Sequence, residues 1–156
     1  MCFDDDARPP IPVTDGTGTQ GEDITITAAD GTHFMAYVAT PGNPAETQVL
    51  ILPDVRGLHQ FYKELALRFA EAGTLALAID YFGRTSPSGD RTNSFEYTPH
   101  VESMTIETFG ADLRAALGEL RGRSDAASTF TVGCCYGGSL SFWSATQGLD
   151  LSGVVG

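Results

Sequence analysis

Residues Asp23 to Ala29 alternate apolar and polar positions, Asp30-Gly31 is a turn signal, and His33 to Thr40 is strand-like again, which together predict a β-hairpin. Thr47 to Leu52 and Thr74 to Ile79 are short apolar runs without alternation, as expected of parallel strands buried on both faces. Between them Phe61, Leu65, Phe69 and Ala72 recur at helical spacing and Gly73 supplies a stop, completing a βαβ unit. From Thr105 to Arg121 the residues Ile106, Phe109, Leu113, Leu117 and Leu120 form one helical face, Ser128 to Gly133 is the next strand, and Ser139 to Thr146 is suited to a helix. Leu151 to Val155 begins a further strand. The connection from Tyr81 to Val101, rich in Gly, Ser, Pro and Asn, is long enough to be either mobile or functional.

Hairpin first and βα units afterwards predict an α/β fold, a mostly parallel sheet with helices on both faces preceded by an antiparallel hairpin. Residues 1–22 carry Asp4-Asp5-Asp6, Pro9, Pro10 and Pro12, and Gly16, Gly18 and Gly21, and read as a leader that lies on the surface or stays mobile. Residues 23–156 are then the domain. With 156 residues and 42% hydrophobic content there is enough chain for one core and not for two.

Charge narrows the partners. The net charge of −11, from 20 acidic against 9 basic residues, argues against nucleic acid or an anionic membrane, since phosphate binding needs a basic face. A small organic substrate fits better. The 3 cysteines, two of them adjacent at Cys134 and Cys135, make no disulfide framework, and no charged leader followed by an apolar run precedes Cys2, so a reducing cytoplasm is expected. No apolar stretch approaches the length of about 20 residues that spans a bilayer.

The candidate chemistry lies at Gly133-Cys134-Cys135-Tyr136-Gly137, where a strand runs into a helix. A sharp turn there lifts Cys135 out of the backbone, and glycines two positions to either side are needed because the turn is strained and neighbouring chain passes too close for a Cβ. The helix that follows aims its positive N-terminal end at Cys135, favouring thiolate and developing oxyanion alike. Cys135 is thus a candidate nucleophile. The same residues are also compatible with a buried cysteine and glycines that serve helix–sheet packing.

Three stretches in order, Leu52-Pro53-Asp54-Val55-Arg56-Gly57, Ala78-Ile79-Asp80-Tyr81-Phe82-Gly83-Arg84 and the Cys135 turn, make the chain from about Asp23 to Gly156 resemble the N-terminal part of the dienelactone hydrolase family, within the α/β-hydrolases. The resemblance implies hydrolysis of a small-molecule lactone or ester through a cysteine or serine nucleophile, without metal or organic cofactor. It implies Cys135 as nucleophile. Asp54 takes the place of a glutamate that helps activate the thiol; a nearby carboxylate can accept a thiol proton, and a free cysteine with a pKa of about 8.5 is only slightly ionised at neutral pH. Asp54 is one methylene shorter, and a capping or turn-stabilising aspartate is the alternative. The backbone N–H groups of Val55 and Tyr136 are the implied oxyanion hole. Arg84 matches an arginine that holds a substrate carboxylate, a surface arginine being the alternative. Arg56 falls where better-known members carry an apolar residue.

In this superfamily the triad runs nucleophile, acid, histidine along the chain. The residues after Cys135 include one acid, Asp150, and no histidine, so the triad acid and histidine are expected beyond Gly156. Of the histidines present, His33 reads as an ordinary strand residue, His59 as a pocket-lining or capping residue, and His100 as a loop residue placed to close over a substrate. Cys134 reads as a buried strand-end residue, or as half of an oxidisable vicinal pair if exposed. Two non-hydrolytic readings stand beside the enzyme: a binding module that pairs through its open last strand, and a thiol redox protein using Cys134 and Cys135.

Overall fold

The computed structural model describes residues 3–13, 18–87 and 91–156; Cys2 and Gly16 lie outside them. In chain order the elements are β1 (Gln20–Thr27), β2 (His33–Thr40), β3 (Thr47–Leu52), α1 (Gln60–Glu71), β4 (Thr74–Ile79), α2 (Thr98–Ser103), α3 (Ile106–Gly122), β5 (Ser128–Gly133), α4 (Tyr136–Ser144) and β6 (Gly153–Val155). They build one six-stranded sheet in the order β1-β2-β4-β3-β5-β6. β1 and β2 are the antiparallel hairpin, β2 is antiparallel to β4, and β4, β3, β5 and β6 run parallel.

The unbroken apolar runs of β3 and β4 are divided between two cores by the two-residue period of a strand. Leu50 and Leu52 of β3 and Leu75, Leu77 and Ile79 of β4 face Phe109, Leu113, Ala116, Leu117 and Leu120 of α3 and Leu140 of α4. Their neighbours Val49, Ile51, Ala76 and Ala78 face Phe61, Tyr62, Ala66 and Ala70 of α1 on the other side. Small alanines on both partners let α1 approach the sheet closely. Each large side chain sealed this way contributes about 1.5–3 kcal/mol of burial. The ends of the helices are set locally: Thr105 and Thr108 form a capping box at the start of α3, and Gly73, with φ +87°, ends α1.

Several boundaries differ from the sequence reading, among them the start of β6, at Gly153 and not at Leu151. β1 begins at Gln20, inside the stretch expected to be leader, because the backbone of Gln20–Glu22 pairs with Val38–Thr40 and an edge strand with exposed faces needs no apolar alternation there. α4 begins at Tyr136 and not at Ser139, since Gly137 and Gly138 form the helix's first turn. The long connection after β4 contains the short helix α2. Two leader residues lie against α1: Phe3 stacks on Phe61 at 3.7 Å between ring centroids, and Arg8 pairs with Glu64 at 3.2 Å.

Candidate active site

β5 ends at Gly133, and the chain turns within two residues into α4. Cys135 sits at the apex with φ 55° and ψ −115°, a conformation that costs a non-glycine residue on the order of 1–3 kcal/mol. The flanking glycines are obligatory. A Cβ on Gly133 would run into the carbonyl of Gly137, and one on Gly137 into the carbonyls of Leu52 and Pro53 at the end of β3. Cys135 is exposed directly before the first residue of α4, whereas Cys134 is half-buried in the α1-side core. Burial pushes the Cys134 thiol pKa up, a hydrogen bond from Tyr62 works against this, and the negative charge of Asp54 adds to it.

The register brings the end of β3 beside this turn. Leu52 lies opposite Gly133, and the N–H of Cys134 donates to Leu52 O at 3.2 Å, so Asp54 and Cys135, each two residues beyond that pair, emerge at the same end of neighbouring strands. After Asp54 the chain reverses: the N–H of Gly57, at φ +78°, donates to Asp54 O at 2.9 Å. Val55 occupies the first corner of this turn, where the geometry leaves its N–H without an acceptor. Tyr136 is the first residue of its helix and its N–H is one of the helix's orphan donors. Among the described residues neither N–H donates to another group of the chain.

Asp54 is wrapped. Its Oδ1 accepts from the Arg56 N–H at 2.9 Å and from Arg56 Nε at 3.2 Å, and its Oδ2 accepts from Arg56 Nη2 at 2.9 Å. His59 caps α1: its Nδ1 accepts from the Phe61 N–H at 3.3 Å, which leaves the ring proton on Nε2, 3.5 Å from Asp54 Oδ2. That separation is a long electrostatic contact and not a full hydrogen bond, so the sealed Nε2 has no close partner. Burial works to raise the Asp54 pKa, but the His59 and Arg56 contacts outweigh it and hold the carboxyl well below the usual carboxylate range. A carboxylate so stabilised is a poor proton acceptor. The geometry therefore favours the turn-stabilising role over thiol activation.

Arg84 is equally committed. Its Nε and Nη2 bind both oxygens of Asp112 at 2.9 and 2.7 Å, and its Nη1 binds Asp30 at 2.6 Å and Thr32 at 2.8 Å. Asp30 and Thr32 belong to the β1–β2 turn, and β2 is separated from β5 by β4 and β3, about 14 Å at ordinary strand spacing. This placement favours a framework role for the guanidinium over the substrate-holding one. A polar residue on the otherwise apolar face of α3, Asp112, is the sequence signal for that pair.

Sequence reasoning missed a second buried pair. Arg91 binds Asp80 at 2.9 Å and lies 4.4 Å over the Phe95 ring, tying the connection after β4 to the strand it leaves. A cleft of about 500 Å³ lined by Met35, Leu58, His59, Lys63, Asp80 and Arg91 opens on the β2 side of His59. All three histidines are held through Nδ1: that of His33 lies 2.9 Å from Thr27 Oγ1, that of His59 caps α1, and that of His100, whose ring stacks on Phe95, lies 2.8 Å from Thr85 Oγ1. Among the described residues no group of three His, Cys, Asp or Glu is placed to hold a metal, and no helix is long and apolar enough to cross a membrane.

A sequence profile of the dienelactone hydrolase family matches residues 34–156. A Methylorubrum extorquens protein named "Putative carboxymethylenebutenolidase" is 29% identical over 134 residues, covering 83% of this chain and 45% of that protein. The carboxymethylenebutenolidase of Pseudomonas putida is 26% identical over 133 residues, covering 81% of this chain and 56% of that protein. The crystal structure of a "Putative Dienelactone Hydrolase" from Klebsiella pneumoniae superposes with a TM-score of 0.75 at 24% identity, over 88% of this chain and 59% of that one, which establishes an α/β-hydrolase fold. The chain spans about half the length of the curated relatives it matches.

Proposed function

The chain belongs to the dienelactone hydrolase family, and we propose that it carries the nucleophile half of a site that cleaves a small lactone or carboxylic ester. The Cys135 thiolate attacks the carbonyl carbon, forming a C–S bond while the π electrons move onto oxygen. The N–H groups of Val55 and Tyr136 bind that oxyanion. Collapse restores the carbonyl and breaks the C–O bond, the departing alkoxide takes a proton from water, and the acyl group remains on Cys135 as a thioester. Water then cleaves the C–S bond to release the acid and return the thiol.

What supports the reading is the Leu52–Gly133 register, which sets a strained, exposed cysteine at a helix N-terminus beside a turn whose first N–H is free. Asp54 serves as the ionic anchor of that turn and Arg84 as a clamp between α3 and the hairpin. The N-terminal end of α4 presents positive partial charge to the oxyanion that forms at Cys135. Thiol chemistry of this kind suits a reducing, cytoplasmic compartment. No hydrogen bond joins a histidine of the described residues to Cys135, so acylation is expected to outrun deacylation.

The experiment is a rapid-mixing assay with p-nitrophenyl acetate followed by peptide mapping. The expected result is a burst of one p-nitrophenol per chain and an acetyl group on Cys135, both lost in Cys135→Ala. A burst that survives in Cys135→Ala, or acetylation elsewhere, rejects the reading.

A further inference from the structure

We propose that Tyr81 is a positioning residue for this reaction: its buried hydroxyl sets the plane of the Asp54–Val55 peptide so that the Val55 N–H meets the developing oxyanion. The proposal rests on the oxyanion role given to Val55 above.

A trans peptide is rigid, with its C=O and N–H pointing in opposite directions, so whatever fixes the carbonyl fixes the amide. The carbonyl of the peptide that carries the Val55 N–H is Asp54 O. It accepts from the Gly57 N–H at 2.9 Å and lies 2.6 Å from the Tyr81 hydroxyl. The same hydroxyl lies 2.6 Å from Pro53 O, so its single proton is shared between the last two carbonyls before Val55. The peptide one step earlier is held from the opposite face of the sheet, where the Asp54 N–H donates to Tyr62 Oη at 3.0 Å.

Two buried tyrosines thus hold successive peptides, and only Tyr81 touches the carbonyl of the one that carries the free N–H. Hydrogen bonding at that carbonyl also polarises the peptide and strengthens its amide as a donor. Tyr81 is 1% exposed, and burial, reinforced by the negative charge of Asp54, pushes its pKa well up, so the hydroxyl keeps the proton it donates. Its ring meets that of Tyr136, the residue of the second oxyanion donor, edge-on at 6.2 Å. One side chain therefore packs against both halves of the proposed hole.

The test compares Tyr81→Phe with Tyr62→Phe in the intact chain, using two reactions of Cys135. Acylation by p-nitrophenyl acetate builds an oxyanion; alkylation by iodoacetamide builds none. Tyr81→Phe is expected to slow acylation by about 10–100-fold at nearly unchanged KM, as displacement of one donor should, and to leave alkylation unchanged. Tyr62→Phe is expected to lower stability with little effect on acylation. If Tyr81→Phe slows both reactions alike or slows neither, or if Tyr62→Phe slows acylation as much, the Tyr81 role is overturned while the Cys135 reading stands. A wild-type chain with no Cys135-dependent burst overturns both. Should Tyr81→Phe fail to fold, 3-fluorotyrosine placed at position 81, a stronger donor of nearly the same shape, is expected to shift the Val55 amide nitrogen resonance; an unmoved resonance overturns the proposal.

Discussion

The Asp54 carboxylate and the Arg56 guanidinium lie 2.9 Å apart with both side chains almost sealed from water, at 1% and 3% exposure. Two residues apart in sequence, they close a turn at the end of β3 in which Arg56 also reaches Asn93 at 2.7 Å. The pair thus joins the strand end to the connection that follows β4. A buried ion pair need not add net stability, yet breaking it by removing one partner is costly, because the other charge is left without compensation.

Arg56→Ala should therefore destabilise the fold by about 3–5 kcal/mol. Replacing both residues together with apolar ones should cost less than Arg56→Ala alone. Urea unfolding of the single and double variants measures the difference, and a double variant as unstable as the single one would refute the buried-charge account.

The depressed pKa of Asp54 carries a pH signature. Because the folded pKa lies below the unfolded value of about 3.9, the ionised pair contributes stability that is fully present above that value and is lost as pH falls through the folded pKa. The stability gap between wild type and Asp54→Asn should accordingly be constant near neutrality and shrink below about pH 4. Thermal unfolding of both proteins from neutral pH to pH 3 reads this out; a gap that widens with acid would give the shift the opposite sign.

Gly137→Ala should be among the most damaging small substitutions, because the added methyl meets the backbone carbonyls of Leu52 and Pro53 and not a side chain that could swing away. A loss of roughly 3 kcal/mol or more is expected, at the upper end for overpacking. Gly118→Ala, on α3 with open space around the new methyl, is the control and should stabilise slightly. Melting temperatures that rank the two in the reverse order would contradict the close approach of β3 to α4.

Iodoacetamide at neutral pH should modify Cys135 well before Cys134. The former is exposed at a helix N-terminus, whereas the latter is half-buried with its pKa pushed up by burial. Peptide mapping against time gives the two rates, and equal rates would mean that the turn does not separate the thiols.

Arg84→Ala should lower stability by on the order of 3 kcal/mol, since it strands Asp112, whose side chain is 1% exposed. Apparent KM for p-nitrophenyl acetate should not change. Unchanged stability together with a rise in KM for substrates bearing a carboxylate would return this guanidinium to the substrate.

The elements of the sheet and the Cys135 turn were legible in the sequence because they are written in local terms. Period-two and period-3.6 patterns reflect backbone geometry within one segment, and the glycines at 133 and 137 report how little room a turn leaves for a Cβ. Strands hidden on both faces could be named from Thr47 to Leu52 and from Thr74 to Ile79, but the insertion of β4 between β2 and β3 is a property of the assembled sheet. Side-chain partnerships belong to that assembly as well. Arg84 meets Asp112, 28 residues away, and Asp30, 54 residues away. Arg91 folds back on Asp80, and Tyr62 and Tyr81 meet one strand end from opposite faces. A charged or hydroxyl-bearing residue in a sequence announces what it can bind. Which group it does bind depends on desolvation and distance, and these exist only once helices and strands have packed; for that reason the sequence pointed to Cys135, while the tertiary structure alone decided what Asp54, Arg84 and Tyr81 hold.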